Sequence, residues 1–187
     1  MVDDAVLYGE AGLTGASRSA LEDRLSRLLA NDGPALGRLA AGYTRTAADR
    51  DDLLQDIALA VWQALPRFRG ECSDRTFLFR VAHNRAIAYA TRRRLALQAI
   101  DEECGEAESM RTPAPNPEAA LSKAEEAARF VAAVRRLPML YRQTIILALE
   151  GLSYREMAEV LGIAESNVGA RLTRARQALR TLMGRTS

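Results

Sequence analysis

Apolar residues recur at helical spacing along most of this chain. Leu21, Leu25, Leu28 and Leu29, then Leu36, Leu39 and Tyr43, mark one face of a helical pattern that begins near Ser17. Leu53, Ile57 and Val61 continue it, and it runs on to about Arg94. Between Leu95 and Pro117 the periodicity fades. Asp101, Glu102, Glu103, Glu106 and Glu108 cluster there, ahead of Pro113, Pro115 and Pro117, which favour extended backbone over helix. Periodicity resumes near Glu118 and reaches Met183, with breaks at Pro138 and Gly151. Neither a strand alternation nor an internal repeat is visible. The expected fold is all-α: two small helical domains at 17–94 and 121–187, a mobile tail at 1–16, and a flexible acidic, Pro-rich linker at 95–120.

Composition narrows the class. The 187 residues are 48 % hydrophobic and 27 % charged, enough apolar mass for a packed core. The longest apolar runs, such as Ile145–Leu149, fall far short of the roughly 20 residues a membrane span needs. The acidic start Met1-Val2-Asp3-Asp4 lacks a following apolar stretch and argues against a secretory signal. Cys72, Cys104 and the single His83 offer neither a disulfide scaffold, a metal site nor histidine-based catalysis. With no Gly-rich phosphate loop and no nucleophile–base arrangement, the expectation is a soluble intracellular protein without cofactor that is not an enzyme.

Charge is distributed unevenly. The net value is +2, yet residues 67–94 carry +6 and residues 95–120 carry −5. Only Lys123 among the 26 basic residues is lysine. Arginine's planar fork suits phosphates and guanine edges, although an Arg- and Ala-rich composition also follows from a GC-rich genome. Two basic segments separated by an acidic one suggest two contact surfaces on a polyanion.

The second lobe carries the most specific pattern. Ser153-Tyr154-Arg155-Glu156 is a capping box, with Leu152 and Met157 spaced as a hydrophobic staple. The helix it starts stops at Gly162, a suitable left-handed residue. Ile163 and Val168 form a second staple on a second helix through Leu172, Ala175 and Leu179. Its other face shows Ser166, Asn167, Arg171, Thr173, Arg174 and Arg176, polar and cationic as a major-groove reader requires. An ordinary helical hairpin with a solvated arginine face is the competing reading.

Leu137-Pro138, Leu152–Ala158, Leu161-Gly162-Ile163 and Arg171–Arg176 together resemble the promoter −35-reading domain of bacterial sigma factors. The length fits the compact extracytoplasmic-function (ECF, group 4) branch of the sigma-70 family. The resemblance extends to the first lobe, where Asp49–Ile57 is similar to the family's acidic helix and is followed by Trp62 and Leu65–Gly70. At 100° per residue Asp49, Asp52 and Asp56 lie within about 60° of one another, away from Leu53, Ile57 and Val61. The resemblance implies that Asp49, Asp51, Asp52, Gln55 and Asp56 dock on the clamp helices of the RNA polymerase largest subunit. Helix capping by Asp49 and Asp52 is the plainer alternative.

The resemblance also implies a −10 reader that replaces lost base stacking with a base pocket and phosphate contacts. Its base-capture positions are Gly70, Glu71, Cys72, Ser73, Asp74 and Asn84; Arg69 is a further −10 contact, and Arg80, Arg85, Arg92, Arg93 and Arg94 lie on phosphate. Phe77 is expected in the core; Phe79 suits either core or a stacking platform. His83 is expected to be structural or solvent-facing. Cys72 could serve as a redox switch or as an ordinary loop thiol. The linker could thread the polymerase cleft or act as a solvated spacer.

Departures from the family pattern matter for specificity. Ala164 stands where a Ser or Thr usually caps the recognition helix. Gly169 and Ala170 stand where a basic residue and a serine are usual, so base reading is expected from Thr173, Arg174 and shape, or from Ser166 and Asn167 in another register. The resemblance implies a transcription initiation factor whose partners are core polymerase (clamp helices and flap), promoter DNA and an anti-sigma factor, with no membrane. A stand-alone helix-turn-helix regulator is the alternative.

Overall fold

The computed structural model describes residues 15–103 and 120–184. The expected tail, apart from its last two residues, lies outside them, as do Cys104 and the three linker prolines. All elements among the described residues are helical. The first lobe holds α1 (Gly15–Ala41), α2 (Ala47–Ala64), a 3-10 turn (Leu65–Arg67) and α3 (Asp74–Glu103). The second holds α4 (Ala120–Arg136), α5 (Met139–Leu149), α6 (Tyr154–Leu161) and α7 (Glu165–Gly184).

Local signals set the helix ends. Thr46 and Asp49 form a reciprocal capping box at the start of α2, and Ser153 and Glu156 repeat it at α6. Gly162 ends α6 at φ +64°, in the left-handed region where a Cβ is penalised. Helix α3 continues nine residues past Arg94, because Leu95-Ala96-Leu97-Gln98-Ala99 are strong helix formers.

Leu36 and Leu39 of α1, Leu53, Ile57 and Val61 of α2, and Phe77, Leu78, Phe79 and Ala82 of α3 fill the first lobe. Val134, Leu137, Ile145, Leu147, Met157, Val168 and Leu172 fill the second. The two sets belong to one continuous buried cluster. The lobes pack on each other, with the N-terminal part of α3 lying against α6.

Candidate polymerase and promoter interfaces

The acidic face of α2 meets the basic run of α3. Asp49 accepts from the Thr46 backbone N–H at 3.4 Å and from Arg93 at 2.6 Å, and Arg93 also donates to Tyr89 Oη at 3.0 Å. Burial pushes the Asp49 carboxyl upward. The hydrogen bonds from Thr46, Tyr89 and Arg93, with the Arg93 charge, outweigh it and hold the carboxyl below its ordinary value. Asp56 pairs with Arg92 at 3.3 Å, and Asp51 lies 3.7 Å from Arg50. Asp52 and Gln55 are exposed. A cleft of about 410 Å³ runs between the helices, lined by Asp49, Asp52, Asp56, Arg92 and Arg93. The ridge is thus partly neutralised by two arginines assigned from sequence to DNA, while Arg94 is exposed. Such solvent-facing pairs contribute about 0–1 kcal/mol each, so they orient the charges without locking them.

The Arg69–Asp74 loop is built around Gly70 at φ +78°. Arg69, Gly70, Glu71, Ser73 and Asp74 are exposed, as are Asn84 and Arg85 one helical face along α3. Two loop residues have structural duties. The Ser73 hydroxyl accepts from the Thr76 N–H at 3.0 Å, capping α3, and Asp74 pairs with Arg24, whose guanidinium lies over the Phe68 ring. Phe68 stacks on Phe77 with centroids 4.3 Å apart. Phe77 and Phe79 are both buried, so Phe79 belongs to the core. Arg80 is half-buried. His83 is buried, which depresses its pKa to about 4 and keeps it neutral near pH 7. Burial pushes the half-buried Cys72 thiol up, against the thiolate character a redox sensor needs.

In the second lobe α6, the Gly162 turn and α7 form the helix-turn-helix that the sequence pattern anticipates. Val168, Leu172, Ala175 and Leu179 bury one side of α7. Ser166, Asn167, Ala170, Thr173, Arg174 and Arg176 are exposed, and Gly169 and Arg171 are half-covered. A Cβ on Gly169 would sit 3.6 Å from the Tyr154 ring. Thr173 Oγ1 donates to the Gly169 carbonyl at 3.0 Å. Ala164, just before α7, supplies only its carbonyl, which accepts from the Asn167 N–H at 3.0 Å.

A third set of residues joins the lobes. Arg38 of α1 donates two bonds, 2.9 and 2.7 Å, to the carboxylate of Glu150, whose side chain is 4 % exposed. Arg75 of α3 donates to the Glu150 carbonyl at 2.8 Å and to Asp32 at 3.0 Å. Thr76 reaches Glu156 at 3.4 Å, and Arg135 donates to the Ala41 carbonyl at 2.8 Å. Gly42 lets the lobes meet: a Cβ there would lie 2.5 Å from Ile146 Cδ1. Apart from Glu156, read from sequence only as a helix cap, these residues did not stand out in the sequence. The only hint was Glu150, a lone acid closing the apolar helix α5.

An acidic ridge on one helical lobe and a helix-turn-helix with an exposed basic face on the other define a DNA-handling, partner-docking protein. Residues 28–95 match the family described as Sigma-70 region 2, and residues 127–179 match Sigma-70, region 4. The chain is 31 % identical over 176 residues to the RNA polymerase sigma factor CnrH of Cupriavidus metallidurans, covering 91 % of this chain and 92 % of that protein. It is 30 % identical over 139 residues to the ECF RNA polymerase sigma-E factor of Escherichia coli, covering 71 % and 73 %. The structure of CnrH in complex with the cytosolic domain of CnrY superposes with a TM-score of 0.64 at 26 % identity, covering 92 % of this chain and 99 % of that one. The sigma factor RpoE in complex with the anti-sigma factor NepR from Bartonella quintana gives 0.63 at 25 % identity, covering 89 % and 98 %. The chain belongs to the sigma-70 family of RNA polymerase sigma factors, in its ECF branch.

Proposed function

We propose that this chain is a group 4 ECF sigma factor that works in the cytoplasm as a non-catalytic specificity subunit. The division follows the sequence reading, with α3 carrying the first lobe on to Glu103: the 17–94 lobe docks on core polymerase and takes the −10 element, and the 121–187 lobe reads the −35 element. The observation that carries this reading is the presence of an exposed carboxylate ridge and an exposed basic recognition helix on opposite lobes of one chain. Asp51, Asp52 and Gln55 are the ridge residues most open to a clamp-helix partner, and Asp56 joins them by exchanging Arg92. A stand-alone regulator would use α6 and α7 but leave this ridge without a role. Partners of this chain are core polymerase through clamp helices and flap, promoter DNA, and an anti-sigma factor of the kind seen bound to RpoE.

Reading two elements also demands movement. Elements centred about 25 base pairs apart are separated by roughly 85 Å of duplex at about 3.4 Å per pair. The packed lobes touch, so they separate when both elements are held. The 16 positions between α3 and α4 set a contour length of at most roughly 55 Å, which lets the lobes part. The test is capture of core polymerase by the wild type against Asp52→Arg plus Asp56→Arg. The double variant is expected to lose binding; undiminished capture with correct folding refutes the ridge assignment.

A further inference from the structure

The loop assigned to the −10 element is fastened at both ends by one side chain from another helix. Arg24 of α1 donates through Nε to Asp74 Oδ2 at 3.3 Å and through Nη2 to the other carboxylate oxygen. The same guanidinium lies 5.1 Å from the centre of the Phe68 ring. Phe68 immediately precedes the Arg69–Ser73 segment, and Asp74 immediately follows it. Phe68 in turn stacks on the buried Phe77 of α3, so this clamp is rooted in the core of the first lobe.

Between these anchors the chain is open to solvent. Arg69, Gly70, Glu71 and Ser73 are exposed. A segment of this kind orders only at a cost in conformational entropy. Extruding a base already costs its stacking and pairing, and a pocket that must also order itself while taking the base loses affinity by that amount. Fixing both ends of the segment beforehand removes part of the cost.

Charge gives Arg24 a second task. Asp74 is an exposed carboxylate in a loop meant to meet a polyanion, and unpaired it would repel the incoming strand. Arg24 holds it in a two-point ion pair and cancels its charge. All of these groups belong to the first lobe, so the clamp persists when the lobes part. The bonds from Thr76 to Glu156 and from Arg75 to the Glu150 carbonyl, which hold the start of α3 in the packed form, do not.

We propose that Arg24 is a positioning residue of the −10 reader: it ties Phe68 to Asp74 across the mouth of the Arg69–Ser73 loop and neutralises Asp74 toward the DNA strand. It acts through these two residues and not by touching a base or a phosphate. This rests on the loop being the −10 reader.

Holoenzyme assembled from core polymerase and the full chain first selects from fork-junction DNA randomised across a single-stranded −10 window. The enriched strand and a scrambled strand of the same composition then serve as probes. Arg24→Gln is expected to weaken binding of the enriched probe roughly fivefold, the scale of one exposed ion pair with a cation–π contact, and to leave the scrambled probe within about twofold. Arg27→Gln, which removes the same charge from an exposed position of α1, is expected to change neither. In an Asp74→Asn background there is no carboxylate left to tie or cancel, and adding Arg24→Gln is expected to cost about twofold or less.

An equal loss on both probes, an equal loss from Arg27→Gln, or a full loss that persists in the Asp74→Asn background makes Arg24 a strand contact in its own right and overturns the proposal. Undiminished selectivity of Arg24→Gln overturns it as well, and so does a general loss of folding in thermal melts, which would make the residue merely structural. Failure of the wild-type holoenzyme to enrich any sequence in the window overturns the −10 reading on which it rests.

Discussion

Replacing Glu150 by glutamine isolates one of the polar contacts between the two lobes. The carboxylate is almost fully covered and takes both bonds from Arg38, whose own side chain is 64 % exposed. Glutamine keeps the shape and one acceptor, so no cavity forms, and Arg38 is close enough to solvent to rehydrate. What disappears is the charge-assisted part of the contact, about 1 kcal/mol as the difference between a charged and a neutral hydrogen bond. Exposure of Arg38 screens the pair and keeps the figure from being larger. About 1 kcal/mol shifts the ratio of packed to separated lobes roughly fivefold. Where the separated form is the minor one and the only form that seats on polymerase, apparent affinity for core rises by the same factor. Fluorescence anisotropy of labelled chain titrated with core polymerase measures this directly. Glu22→Gln, which breaks the exposed Arg18 pair far from the lobe contact, is the control and is expected to change nothing. An affinity for Glu150→Gln within twofold of wild type, or weaker than it, refutes the reasoning.

Other expectations follow from single sites. Ala164→Ser supplies the missing cap on α7 and is expected to raise stability by about 1 kcal/mol in denaturant melts; no gain means the helix start is already satisfied. His83 has a folded pKa of about 4 against an ordinary 6.5, so the unfolded chain binds the extra proton between those values. Stability is therefore full above about pH 6.5 and falls by roughly 3 kcal/mol as pH drops to 4, a loss that His83→Gln should flatten in pH-resolved melts. Asn84→Ala is expected to impair promoter opening more than closed-complex formation, which permanganate footprinting distinguishes. Arg174→Ala is expected to cost about 1–3 kcal/mol on its −35 duplex if it touches a base; an equal loss on every sequence reassigns it to phosphate.

The helices and the Ser153–Glu156 capping box were legible because their signals are local. Ser153–Glu156 and Gly162 fix α6 within a dozen residues, and the structure repeats that pattern atom for atom in its hydrogen bonds. The end of α3 was not legible, since Leu95–Ala99 keep helical propensity after the apolar periodicity of the sequence has faded. Residues were visible as charges but not as pairs. Asp49 was readable as both cap and ridge, and the structure gives it the cap; its bond to Arg93, 44 residues away, has no local trace. The same holds for Arg38 with Glu150, 112 residues apart, where partner choice depends on how two lobes meet. Thr173 was readable as a contact toward DNA, but not as the donor to the Gly169 carbonyl that it is in the folded helix.

The pairing of Asp49 with Arg93 and Asp56 with Arg92 bears on how binding responds to ionic strength. A bare row of carboxylates gains fresh attractions when it meets a cationic partner, and added salt erodes them. Here each of these two acids trades one guanidinium for another, so few net attractions are created and few ions change places with solvent. Association with polymerase through this ridge should therefore respond only weakly to added potassium chloride, whereas promoter binding by α7 keeps the steep response of phosphate neutralisation. One buffer series then separates the two contacts without a single substitution.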